Sequence, residues 1–311
     1  MRANSPMHRI VLAGFLCAIV ALPSVFAAEN PPASPGMAHL TVTAIGKKDA
    51  SPSPINKDDI QLTVGKERKQ IASWEKAGNL NLAILIDDSL DPSVAGQWDD
   101  LRAFINAQPE TTSIAVGYAD NSTVFVAQDF TSDHALAAKA LRIPRGYYSG
   151  GSSPYLSVID WLKRWPESGN RGSLLLISSG IDYFRGGFGP VYPDVDTAIS
   201  HAQKANVNLW NIYYPGSGHF ARSMFLVDKG QLNLSKMTME TGGESYYLGF
   251  VAPVSFKPYL DELQMHLSNQ YLLSFADDAS KKGKYIAAHL RTELPDIELM
   301  YANRAYVQPD P

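Results

Sequence analysis

The sequence predicts an α/β fold, with a mostly parallel central sheet covered by helices on both faces and a small β-sandwich assembled from the N- and C-terminal segments. Three observations carry this expectation. Residues 82–86 form a continuous apolar run, as a strand buried on both faces requires. From there to residue 269, strand-like runs alternate with stretches whose apolar residues recur at helical spacing. At both ends of the chain, apolar and polar residues instead alternate singly, the mark of strands with one wet face.

Taken in order, residues 1–27 come first. Arg2, His8 and Arg9 flank the start of an apolar run at 10–20, Pro23 breaks it, and Val25 and Ala27 stand at the −3 and −1 positions of a cleavage point. This reads as a secretory signal peptide, so the expected location is extracytoplasmic, either secreted or periplasmic. The run is shorter than the roughly 20 residues that cross a bilayer, and no membrane span is expected after cleavage. The single cysteine, Cys17, lies in this segment, so the mature chain is expected to hold together without disulfides. Residues 28–37, with Pro31, Pro32 and Pro35, read as a flexible lead-in.

An N-terminal β segment spans 38–76. Leu40, Val42 and Ala44 alternate in one strand, and Ile60, Leu62 and Val64 in another. A Gly65-Lys66 turn and a further strand ending near Trp74 follow. The α/β region spans 77–269. Strands are expected at 82–86, 113–118, 123–127, 173–177, 207–213 and 246–248. Helices are expected over 94–105, 133–141, 154–164, 194–205, 232–241 and 256–267. The C-terminal β segment, 270–311, has strands at 271–275, 285–291 and 297–301 and is expected to pack with 38–76.

Composition narrows the function. With 27 Lys+Arg against 31 Asp+Glu, the net charge is −4, and no basic footprint is present of the kind that phosphate neutralisation needs. Nucleic acid is therefore not an expected partner. In open α/β sheets, ligands bind at the carboxyl ends of the strands. The residues there are Asp87-Asp88-Ser89-Leu90-Asp91, Gly150-Gly151-Ser152-Ser153-Pro154 and Ser178-Ser179-Gly180. These are three oxygen-rich loops, and a hard cation such as Mg²⁺ takes about six oxygen ligands at about 2.1 Å.

On these motifs, residues 79–269 resemble the von Willebrand factor A domain family, and more closely a secreted bacterial branch in which that domain is flanked by β-rich ends. Further likeness lies in 178–185 followed by 192–205 and 207–214, in the Thr241-Gly242-Gly243 turn, in Gln270-Tyr271 and in Arg304-Ala305-Tyr306. The resemblance implies a Rossmann-like fold and a metal-ion-dependent adhesion site, at which the metal's open position accepts a carboxylate from a protein ligand. The family places Asp-x-Ser-x-Ser after its first central strand, a Thr in a second loop and an Asp in a third. Here Asp87 and Ser89 match, Asp91 stands in place of the second Ser, Ser152 in place of the Thr, and Ser179 in place of the Asp. The implied site is thus degenerate. Its candidate ligands for Mg²⁺ or another divalent cation are Asp87, Ser89, Asp91, Ser152 and Asp182, with Asp91 or Asp182 replacing the missing charge. Asp91-Pro92 and Ser153-Pro154 equally match an N-cap followed by Pro at the first helical position.

The expected function is non-catalytic protein binding or adhesion through the loop edge. Tyr148, Tyr183, Phe184 and Arg185 are the recognition candidates, and the loop 215–220 with His219 is a further exposed segment. A hydrolase-like enzyme using serines or carboxylates at the same edge is the competing reading, and a structural or assembly module a third. No G-x-S-x-G elbow or H-E-x-x-H occurs, the apolar strand at 82–86 is followed by Asp87-Asp88 and then Asp91 and not by Asp-x-Asp, and Gly186-Gly187-Phe188-Gly189 has no Walker lysine. An enzyme is therefore not expected.

Overall fold

The computed structural model describes residues 35–47, 52–184, 193–246, 249–278 and 282–309. The segment 1–27 read above as a signal peptide, most of the expected lead-in, Arg185 and the last two residues of the strand expected at 246–248 lie outside the described residues. Four strands come first: β1 (Pro35–Gly46), β2 (Ile60–Val64), β3 (Glu67–Lys69) and β4 (Ile71–Lys76). The chain then enters β5 (Leu80–Asp87), which is buried at all eight positions, as its unbroken apolar run requires.

The α/β region continues through α1 (Trp98–Asn106), β6 (Thr112–Asp120), β7 (Thr123–Thr131), α2 (His134–Lys139) and α3 (Pro154–Leu162). After these come β8 (Arg171–Ser178), α4 (Pro193–Ala205), β9 (Val207–Tyr213), α5 (Met224–Glu240), β10 (Ser245–Tyr246) and α6 (Lys257–Ser268). The strands form one six-stranded sheet in the order β10-β9-β8-β5-β6-β7. Every pair is parallel except β6 and β7, a hairpin whose two-residue turn places Asn121 and Ser122 at φ 48° and 63°.

Alternate residues of β5 serve opposite faces. Leu82, Ile84 and Ile86 join a core with α1, α2 and α6, while Ala83 and Leu85 join one with α3, α4 and α5. Because the chain leaves β5 for β6 on one side and later returns as β8 on the other, the carboxyl end of β5 is a switch point of the sheet.

The tail forms β11 (Gln270–Asp278), β12 (Lys284–Thr292), β13 (Ile297–Tyr301) and β14 (Arg304–Val307). These pair with the N-terminal strands. The order is β3-β2-β12-β14-β1-β11-β4, with β13 also on β1, and every pairing is antiparallel. The two ends thus combine, but into one continuous eight-stranded sheet where the sequence predicts a two-sheet sandwich. Its edge strands β3 and β4 are separated in sequence by Gln70 alone, so the sheet must curl until its edges meet. Ala38, Leu40, Val42, Leu62, Leu273, Phe275, Leu290 and Val307 fill the near-barrel that results. The ion pair Lys69–Asp277, at 3.1 Å, joins β3 to the strand beside β4.

Element boundaries otherwise differ from expectation in a few places. The helix predicted over 94–105 is a 3-10 turn (Pro92–Gln97) and then α1, because Asp91 and Pro92 set a tight start. Helix α5 begins at Met224, eight residues before the predicted 232. Its first half carries exposed Met224 and Phe225 and a glycine, which blur the helical spacing. Strands β3 and β14 are too short to show a period of their own.

Candidate functional site

Asp87 closes β5, and its carboxylate is 5% exposed. Oδ1 accepts from the Ser89 amide at 3.0 Å and the Ser89 hydroxyl at 2.6 Å, and Oδ2 accepts from the Ser178 hydroxyl on neighbouring β8 at 2.7 Å. Burial pushes the Asp87 carboxyl above its usual range, against the pull of the Ser89 and Ser178 hydrogen bonds.

Asp87, Ser89 and Ser152 line one cavity of about 10 Å³ together with Ser153, Ser157 and Tyr183, space for about one water. Ser152 reaches it through the β6–β7 turn. Asn121 Oδ1 accepts from the Ser149 hydroxyl at 2.9 Å, and the Ser149 amide donates to Ser152 Oγ at 3.2 Å. The Ser122 hydroxyl donates to the Gly151 carbonyl.

The remaining predicted ligands lie elsewhere. Asp91 does not line the cavity. Its Oδ1 accepts from the Ser93 amide at 2.9 Å and hydroxyl at 2.6 Å, which caps the Pro92–Gln97 turn and holds the Asp91 carboxyl below its usual range. Asp182 is 2% exposed and is not among the lining residues either. Ser153 caps α3 through the Leu156 amide, at 3.4 Å. Ser178 and Ser179 are fully buried, and among the described residues Asp87 is the one carboxylate that lines the cavity.

A second buried carboxylate, Asp88, organises the surrounding loop, and no motif in the sequence flagged it. The Arg142 guanidinium donates to both its oxygens, at 2.7 and 2.8 Å. The Arg145 amide donates to Oδ1 at 3.0 Å, and the Gly146 amide to the Asp88 carbonyl at 3.0 Å. Arg142 also lies 3.7 Å over the Tyr118 ring. The loop 89–91 is zipped to 215–217 by Asp91 N to Pro215 O at 3.0 Å and Ser217 N to Ser89 O at 2.9 Å. Gly180, at φ +71°, lies so close to α5 that an added Cβ would stand 2.6 Å from the Gly230 carbonyl oxygen.

These braces hold an aromatic cluster at the loop edge. Tyr148 and Tyr183 stack at 3.8 Å and 3°, and Phe220 meets both edge-on, at 5.6 and 6.1 Å. His219 packs on Phe220 at 4.2 Å. Tyr148 and Tyr183 are therefore half-buried in one another, while Tyr147 and Phe184 are exposed, at 58% and 48%. Ile143, Met224 and Phe225 extend the exposed apolar set, and the sequence reading missed all three. Their signal is weak, because single apolar residues in polar loops are ordinary. Tyr155, by contrast, is fully buried, with its hydroxyl donating to the Gly180 carbonyl at 2.7 Å.

No helix among the described residues is long and apolar enough to cross a membrane. Neither a family model nor a curated protein matches the chain. Among solved structures, it is similar to an aerotolerance-related membrane protein from Bacteroides fragilis, at 11% identity over 61% of this chain and 98% of that one, with a TM-score of 0.44. It is also similar to the SpRpn10 VWA domain, at 15% identity over 60% and 95%, with a TM-score of 0.36. A von Willebrand factor type A protein from Catenulispora acidiphila is 12% identical over 91% and 67%, with a TM-score of 0.35. At such identities and scores, no residue role passes from these proteins to this chain.

Proposed function

We propose that the chain is a non-catalytic, von Willebrand factor A-like protein-binding module, working outside the cytoplasm and recognising its partner through the loops at the carboxyl edge of the parallel sheet. The observation that carries this reading is the stacked Tyr148–Tyr183 pair with Phe220, bordered by exposed Tyr147 and Phe184. Rigid aromatic side chains supply large contact area at low conformational cost, which is why they anchor interface centres. The neighbouring cavity, of about 10 Å³, is far below the several hundred Å³ of a small-molecule site.

Recognition on this reading is carried by the aromatic surface and not by a cation. Asp87, Ser89 and Ser152 are the groups a Mg²⁺ ion would meet. They fit it poorly: one carboxylate faces the cavity, and both its oxygens already accept hydrogen bonds from within the protein. Calorimetric titration of the full chain with MgCl₂ is expected to give no heat that Asp87→Asn abolishes.

A photo-crosslinking amino acid placed at position 184, with Lys66 on the far β2–β3 turn as control, tests the reading directly. A discrete adduct formed in the native extracytoplasmic fraction from position 184, absent from 66 and lost in Tyr148→Ala, is the expected result. Equal adducts from both positions, or none, would overturn it.

A further inference from the structure

A second group of ligand-type side chains lies away from the loop edge, beside the edge strand β10. Glu244 precedes β10, its carbonyl fixed by the Asn211 amide at 3.0 Å. Glu262 and His266 sit one turn apart on α6, on the same helix face. One ligand atom from each of the three falls within 4.8 Å of the others.

We propose that Glu244, Glu262 and His266 form a binding site for a divalent transition-metal ion of the Zn²⁺ type. The imidazole is the fixed member. It is 3% exposed, it stacks on Trp210 at 5.5 Å and 27°, and its Nδ1 shares a 3.2 Å hydrogen bond with the Tyr246 hydroxyl. That same Nδ1 faces Glu244 Oε2 at 3.9 Å.

The two carboxylates are the movable members. Both are half-exposed, on flexible stems. Zinc holds N and O ligands at about 2.0–2.2 Å, so closing the triad needs movements of about 1–1.5 Å by the glutamates, and the Tyr246 hydroxyl gives up its bond to Nδ1 while the ring stays in place. A cation held between the two carboxylates would offset their like charge. The donor set selects among metals. One imidazole nitrogen with two carboxylates suits Zn²⁺ and its first-row neighbours, whereas Mg²⁺ and Ca²⁺ take six or more oxygens.

The test is titration of the metal-stripped full chain with ZnCl₂ by calorimetry. The expected result is one equivalent bound with a dissociation constant below about 10 μM, weakened at least tenfold in both Glu244→Gln and Glu262→Gln and unchanged in Asp87→Asn. The glutamine variants are chosen because both positions are half-exposed and glutamine keeps the size of the side chain, whereas the histidine is buried. Nitrogen-15 NMR supplies a second readout, in which Zn²⁺ moves the His266 Nδ1 resonance in the parent and not in Glu262→Gln. The proposal is overturned by no Zn²⁺ uptake, by uptake that both glutamine variants retain, or by millimolar Mg²⁺ displacing Zn²⁺ as an equal.

Discussion

Three aspartates within five residues do three different jobs, and their surroundings decide which. Asp87 accepts from two serines across the end of the sheet, Asp88 holds a bidentate arginine, and Asp91 caps a helical turn. Their burial ranks their energetics. Asp91 is partly exposed and accepts from the Ser93 amide and hydroxyl, so Asp91→Ala should cost about 1 kcal/mol, the usual loss for a cap. Asp88 is 2% exposed, and removing it takes the bidentate partner from Arg142, itself about a third exposed, and leaves the Arg145 amide without that acceptor, so Asp88→Ala should cost about 2–3 kcal/mol. Urea unfolding of the two variants reads the order directly, and a smaller loss for Asp88 than for Asp91 would mean that the arginine loop is no brace.

Among elements, α5 and the turn after β8 meet in a close contact at this edge. Gly180 requires a left-handed backbone, and its missing Cβ lets the turn lie against Gly230 of α5. The Tyr155 hydroxyl, from α3, bonds the Gly180 carbonyl and locks the same turn from beneath. Gly180→Ala adds both backbone strain and a clash at 2.6 Å, and should destabilise by about 2–4 kcal/mol. Denaturant unfolding checks it, and a loss under about 0.5 kcal/mol would show that α5 can retreat freely. Because Tyr183 sits three residues further on, the same variant should also disturb the Tyr148–Tyr183 stack, which near-UV circular dichroism reports.

For the molecule as a whole, Asp277 cross-links the near-barrel that the short β3–β4 link closes. It receives Lys69 of β3 at 3.1 Å and Lys284 of β12 at 3.4 Å, so one carboxylate ties three strands. Burial works to raise the Asp277 carboxyl, but the hydrogen bond from Lys69 and the charge of Lys284 outweigh it, and the group sits below its ordinary range. A carboxyl depressed in the folded state stabilises the fold above its unfolded pKa, and that contribution is lost as pH falls through the folded value. Asp277→Asn should therefore be less stable than the parent by about 1–2 kcal/mol at pH 7, with the gap closing below about pH 4. A gap that stays constant from pH 7 to about 2.5 would assign the loss to packing instead.

What the sequence by itself determined is local. The unbroken apolar run made β5 a central strand, the alternation of strands and helices made the sheet parallel, and Ser153-Pro154 and Asp91-Pro92 marked their helix starts. The convergence of Asp87, Ser89 and Ser152 was legible too, because strand ends at a switch point share one edge. Tertiary structure alone decided the rest. The partners of Asp88 lie 54 and 57 residues away, and the Tyr148–Tyr183–Phe220 cluster draws on three loops with no common spacing. The single curled sheet, and the meeting of Glu244 with Glu262 and His266, depend on which strand ends beside which. Periodicity reports the face a residue occupies within its own element, and these features exist only between elements, where packing and loop closure choose the neighbours.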